Sequence, residues 1–127
     1  MYQAIAVSLA ELKSQDPAQQ DSAFQSLLGA THSPVDWAYD VWDELVTLLK
    51  TGDNRQRAIA AQVLCNLAKS DPRERMLKDL AVLIATTKDE RFVTARHCMQ
   101  SLWKVAVEGE SQRKALVTGL KKRFQEC

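Results

Sequence analysis

Glycine and proline are scarce, four and three among 127 residues. That is about half their usual share, which argues against a loop-rich, turn-rich or all-β fold. Histidine occurs twice and cysteine three times. Cys65, Cys98 and Cys127 show no CxxC or similar ligand spacing, so no metal site is read from them. Cys65 and Cys98 fall inside apolar helical patterns, where a free thiol behaves as a small hydrophobe. A reducing compartment, and hence a cytoplasmic location, is the expectation. No apolar run approaches the ~18 residues of a membrane span. Residues 4–12 are apolar, but they lack a basic segment ahead of them and are flanked by Glu11 and Lys13, unlike a signal peptide. The sequence also lacks a P-loop, GxGxxG, HExxH and GxSxG. His97 and Cys98 are helical neighbours pointing about 100° apart, a poor metal or nucleophile pair. Asp36, Asp40, Asp43 and Glu44 share part of a helix face with nothing local to raise one pKa, so they read as a solvated acidic face. No catalytic residue, cofactor or metal is expected.

What is present points to helix. Hydrophobic residues make up 46% of the chain, which excludes a disordered tail. Ala and Leu dominate, and both favour helix. The length fits one domain, residues 1–127, that buries roughly two-thirds of its unfolded surface. The net charge of +1 conceals two unlike halves. Residues 1–53 hold eight acids against two bases, a balance of −6. Residues 54–127 hold fifteen Lys/Arg against eight acids, a balance of +7. Such segregation fits either a solvated surface or a polyanion-binding end.

All three prolines sit in one local context: Asp16-Pro17-Ala18-Gln19, Ser33-Pro34-Val35-Asp36 and Asp71-Pro72-Arg73-Glu74. Each reads as an N-cap, a proline at the first helical position and an acceptor at N3. Asp53-Asn54-Arg55-Gln56 is the same box without proline, and Asp89 and Ser111 suit two more caps. Between these marks apolar residues follow a 3.6 period. The spacing predicts seven helices over 2–14, 17–30, 34–51, 54–69, 72–86, 90–107 and 111–125, joined by short, antiparallel connections. Their buried faces include Ile5, Leu9 and Leu12, then Val41, Leu45, Leu48 and Leu49, then Leu77, Leu80, Leu83 and Ile84. Trp42 is in phase with Leu45 and Leu49 and is expected in the core. Trp103 takes the place of Cys65 one period later and is expected there too.

The even-numbered helices repeat one another. Gln25-Ser26-Leu27, Gln62-Val63-Leu64 and Gln100-Ser101-Leu102 lie 37 and then 38 residues apart. Asp16 and Asp53 are 37 apart, and Leu45 and Leu80 are 35 apart. The chain therefore reads as hairpins over about 2–30, 34–69 and 72–107, with a capping helix at 111–125. Asp53, Arg57, Ala60, Ala61 and Leu64 resemble the second half of a HEAT repeat: Asp in the turn, Arg early in the second helix, then Ala, Ala and Leu facing the first. Gln20 and Ala95 stand at the Arg position of the first and third repeats. The resemblance implies an all-α, α-α superhelix of HEAT or armadillo type. A compact helical bundle is the alternative.

In such an array the second helices line the concave side. The register places Asp21, Gln25 and Gly29, then Ala58, Gln62 and Asn66, then Arg96, Gln100 and Lys104 outward, one stripe per helix. Arg55 and Lys69 extend the middle stripe. Trp37 and Tyr39 cannot both share the core face with Trp42, so one of them is expected to be at least partly exposed, either packing over a neighbouring repeat edge or anchoring a partner. These residues predict a scaffold or adaptor that binds a protein or peptide. The alternative is nucleic-acid binding through Arg96, Lys104, Arg113, Lys114, Lys121, Lys122 and Arg123. Head-to-tail self-association of the acidic and basic ends is a third reading.

Overall fold

The computed structural model describes residues 2–86 and 92–125. They form α1 (Tyr2–Lys13), α2 (Pro17–Ala30), α3 (Ala38–Thr51), α4 (Asn54–Leu67), α5 (Arg75–Thr86), α6 (Phe92–Ser101), α7 (Trp103–Ala106) and α8 (Glu110–Gln125), with a 3-10 turn over Ala68–Ser70. The fold is all-helical, and no strand occurs among the described residues.

Two helix starts follow from their caps. Asp16 accepts from the Ala18 amide at 3.0 Å, and Pro17 is the first residue of α2. Asp53 and Gln56 close a full capping box at 2.8 and 2.9 Å. These bonds satisfy amides that the first helical turn leaves unpaired. Gly52 precedes the box because a Cβ there would stand 2.6 Å from the Leu48 carbonyl oxygen.

Three other starts differ from the sequence reading. Helix α3 begins at Ala38, not at Pro34, and its first turn has no side-chain cap. The segment before it is tied across the fold instead, the Val35 amide donating to Ser70 Oγ at 2.8 Å. Helix α5 begins at Arg75, not at Pro72. Asp71 still accepts from the Arg75 and Met76 amides at 2.8 and 2.7 Å, but Pro72–Glu74 form a turn in which Glu74 adopts φ 54°. Helix α8 begins at Glu110, so Ser111 is not its cap. Asp89 lies outside the described residues. One proline of the three therefore starts a helix. The helix expected over 90–107 is α6 and α7, interrupted at Leu102.

Helices α1 and α2 pack together, as do α3 with α4 and α5 with α6. Helix α4 lies against α2 and α6, and α3 lies against α5. Helix α8 covers α5 and α7. The expected core is observed at Ile5, Leu9, Leu12, Val41, Leu45, Leu49, Leu80 and Leu83, while Leu48, Leu77 and Ile84 are half-buried. Trp42 is fully buried. Ala60 and Ala61 are also fully buried, as close helix approach requires. Gly119 serves the same end in α8, since a Cβ there would meet the tip of Ile84 on α5 at 2.2 Å.

Candidate partner-binding surface

Helix α4 is surrounded, and this changes the middle stripe. Ala58 and Asn66, expected to face outward, are 8% and 3% exposed. The Asn66 amide donates to Thr31 Oγ1 at 3.1 Å and to the Leu28 carbonyl at 3.4 Å. Its Oδ1 accepts from Lys104 Nζ at 2.6 Å. Asn66 therefore bridges the end of α2 to α7. Gln62 is half-buried and donates back to the Ala58 carbonyl of its own helix. Lys69 is half-buried with Nζ on the His32 carbonyl at 2.6 Å. Of the middle stripe, Arg55 alone is exposed. The flanking stripes stand as expected: Asp21, Gln25, Gly29, Arg96 and Gln100 are exposed, and Lys104 is half-buried.

Gln20, which stands where the HEAT resemblance implies an Arg, is tied to the turn before α4. Gln20 is 2% exposed and donates to Asp53 Oδ2 at 2.9 Å and to the Ser14 carbonyl at 2.7 Å. Gln56 of the next helix donates to the Leu12 carbonyl at 2.9 Å. Together they tie the α1–α2 turn to the α3–α4 turn.

Trp37 precedes α3 as its cap residue, and Tyr39 lies in the first turn of that helix. Trp37 is buried and Tyr39 is half-buried. Tyr39 is not a free anchor, however. Its hydroxyl donates to Asp71 and accepts from the Arg73 amide at 2.8 Å. The guanidinium groups of Arg73 and Arg75 lie 5.2 and 5.5 Å from its ring centre. Burial, followed by the bond to Asp71, raises the Tyr39 pKa above its ordinary value. Beside it Arg75 pairs with Asp43, and Trp42 Nε1 donates to Asp79 at 2.8 Å. These contacts form the seam between α3 and α5.

The acidic face of α3 is partly consumed in the same way. Asp43 holds Arg75, and Glu44 holds Lys13 of α1 at 2.9 Å. Asp40 and Glu44 border a cleft of about 230 Å³ whose floor includes Ile5, Leu9 and Val41. Cys65 and Cys98 are both buried. Burial, and then the neighbouring Cys98, push the Cys65 thiol well up, against a smaller opposing pull from Lys104. A thiol held protonated is a poor nucleophile. Among the described residues no group of three or more His, Cys, Asp or Glu is placed to hold a metal ion, and no helix is long and apolar enough to cross a membrane.

Trp103 overturns its sequence assignment. It is 60% exposed, although Cys65 at the same register is fully buried. The physical reason is which neighbouring helices pack against each position. Helix α4 has helices on both flanks, whereas α6 and α7 turn Cys98, Ser101, Leu102 and Val105 inward. The next residue after Leu102 rotates by about 100° out of that face. Val107, 65% exposed, lies one turn beyond Trp103. Arg96 and Gln100 of the preceding helix α6 are exposed as well. A cleft next to Val107 is lined by Ala106, Gly109, Glu110 and Arg113. The repeat register alone did not single out Trp103 as a surface residue.

The basic residues of α8 are mostly solvated. Arg113, Lys114, Lys121 and Lys122 are exposed and Arg123 is half-buried. Arg113 and Lys114 lie 3.8 and 3.5 Å from Glu110, pairs that contribute only a few tenths of a kcal/mol at such exposure. Compared with protein-family models, with curated proteins and with solved structures, the chain matches none.

Proposed function

We propose that the chain is a non-catalytic adaptor, a short helical solenoid that holds a protein or peptide segment on the exposed side of α6 and α7. The observation that carries this reading is Trp103. A large indole standing 60% in solvent beside Val107 costs solvation, and aromatic residues of this kind anchor interfaces. Its neighbours Arg96, Gln100 and Lys104 supply polar contacts around it. The solenoid architecture is supported by the order of packing, each hairpin resting on the next. It is supported also by the bonds Gln20–Asp53, Asn66–Thr31 and Lys104–Asn66, which join residues 33, 35 and 38 apart. Those separations equal about one repeat, as expected where hairpins stack.

Photo-crosslinking tests the reading. A benzoylphenylalanine placed at position 103 in the source organism gives a discrete protein adduct, and the same residue at the exposed Thr47 of α3 does not. Adducts of equal yield at both positions, or nucleic acid in place of protein, would refute it.

A further inference from the structure

We propose that the groove between α1 and α3 of one molecule receives the outer face of α8 from a second copy, so that the chain associates head to tail. The contact uses neither Trp103 nor Val107 and goes beyond the adaptor reading.

The receiving side is an uncharged helix face. Residues 2–10 hold no charged side chain. Ile5, Leu9 and Leu12 turn inward, while Ala4, Ala6, Val7 and Ala10 are exposed, Val7 by 56%. A helix that meets only water on its outer side ordinarily carries polar residues there. Ala6 and Ala10 also line the cleft of about 230 Å³ whose floor includes Ile5, Leu9 and Val41. A cavity of about 150 Å³ with aliphatic walls holds a benzene molecule, so this cleft has room for an aliphatic side chain.

Carboxylates stand at its edge. Lys13 and Glu44 neutralise each other. Asp40 on the rim, and Asp36 four residues before it, are exposed. Neither carboxylate makes a salt bridge or hydrogen bond among the described residues.

The inserting side is α8. Gln112 and Leu116 are buried, and Gly119 and Leu120 half-buried, where α8 covers α5 and α7. The opposite side presents Val117, 45% exposed, with Lys121 one turn further on and Lys122 beside it. Both ammonium groups are exposed and without an ion pair among the described residues. Arg113 and Lys114 share Glu110 and are not required.

Charge selects this pairing over a symmetric one. Residues 2–51 hold seven acids against two bases, a net of −5, and residues 110–125 hold five bases against Glu110, a net of +4. Groove against groove, or α8 against α8, brings like charges together. Groove against α8 brings opposite charges together, which speeds association and fixes its orientation. Every pair formed in this way leaves one groove and one α8 open, so growth continues unless a ring closes.

Sedimentation velocity of the full chain from about 10 μM to about 1 mM tests the inference. The weight-average mass is expected to rise with concentration at about 20 mM salt and to fall back toward 14.3 kDa at about 0.5 M, where exposed charges are screened within a few ångströms. A6R places a long cationic side chain over the cleft, and V117E reverses the charge of the inserting face. Both positions are exposed, so both variants should keep the helical content of the parent. Each alone is expected to stay monomeric. Mixed in equal amounts, they are expected to form a dimer that grows no further, because A6R keeps an intact α8 and V117E an intact groove. A parent that stays at 14.3 kDa throughout would overturn the proposal. So would self-association of either variant alone, a mixture that stays monomeric, or association of the parent that salt strengthens.

Discussion

Gln20 on α2 donates its side-chain amide to the carboxylate of Asp53, which at the same time caps α4. One buried hydrogen bond thus joins the turns of two successive hairpins. Q20A should cost about 1–2 kcal/mol, because it removes the donor to Asp53 and the shorter of the two bonds to the Ser14 carbonyl. D53A should cost a similar amount through the lost cap. The double variant should cost less than the sum by about 1 kcal/mol, since the two side chains share one bond. Urea unfolding of the four proteins measures this. Strict additivity would show that the bond contributes nothing.

Asn66 should be the most sensitive polar residue of α4. N66A removes the link between Thr31 and Lys104 and leaves the Leu28 carbonyl short of a donor. A loss of about 1–3 kcal/mol is expected. Q62A, whose amide bonds only to its own helix, should cost under about 0.5 kcal/mol. Equal losses at the two positions in thermal unfolding would mean that Asn66 does not bridge the helices.

Stability should fall on the alkaline side. Tyr39 and Cys65 both have raised pKa values in the fold. The folded chain keeps these protons where the unfolded chain releases them. Their contribution is complete below the unfolded values, about 8.5 for the thiol and about 10 for the phenol, and declines as pH rises beyond each. Y39F should flatten the decline above about pH 10, and C65A should flatten it from about pH 8.5. Unchanged slopes in denaturant midpoint against pH would show that neither group is shielded.

Two helical glycines should respond in opposite ways. Gly29 has no atom within 4 Å of where a Cβ would stand, so G29A should stabilise by about 0.5–1 kcal/mol. At Gly119 the new methyl collides with Ile84, so G119A should lose that gain or reverse it. Shortening the neighbour in G119A/I84V should restore part of it. A melting temperature raised equally by G29A and G119A would mean that α8 does not lie closely on α5.

Much of the fold was legible because its signals are local. Asp16 and Asp53 cap helices within reach of their own side chains, and a 3.6 period needs no knowledge of neighbours. The misreadings arise where a distant element decides. Val35 is held by Ser70, and Asp71 serves Tyr39 as well as α5, so neither proline beside them begins a helix. Asn66 and Trp103 exchanged places, one buried and one exposed, for a related reason. Repeat register specifies which way a side chain points but not whether another helix stands there. Helix α4, packed against α2 and α6, buries most of its stripe, whereas Arg96, Gln100 and Trp103 are exposed.

Quenching of tryptophan emission tests the central claim most directly. Trp37 and Trp42 are 5% and 0% exposed, so the quencher-accessible emission should belong to Trp103. Acrylamide, a neutral quencher, should reach that indole and leave Trp37 and Trp42 emitting. The account predicts an accessible component that disappears in W103F. Emission that resists acrylamide, or that is quenched alike before and after W103F, would contradict it.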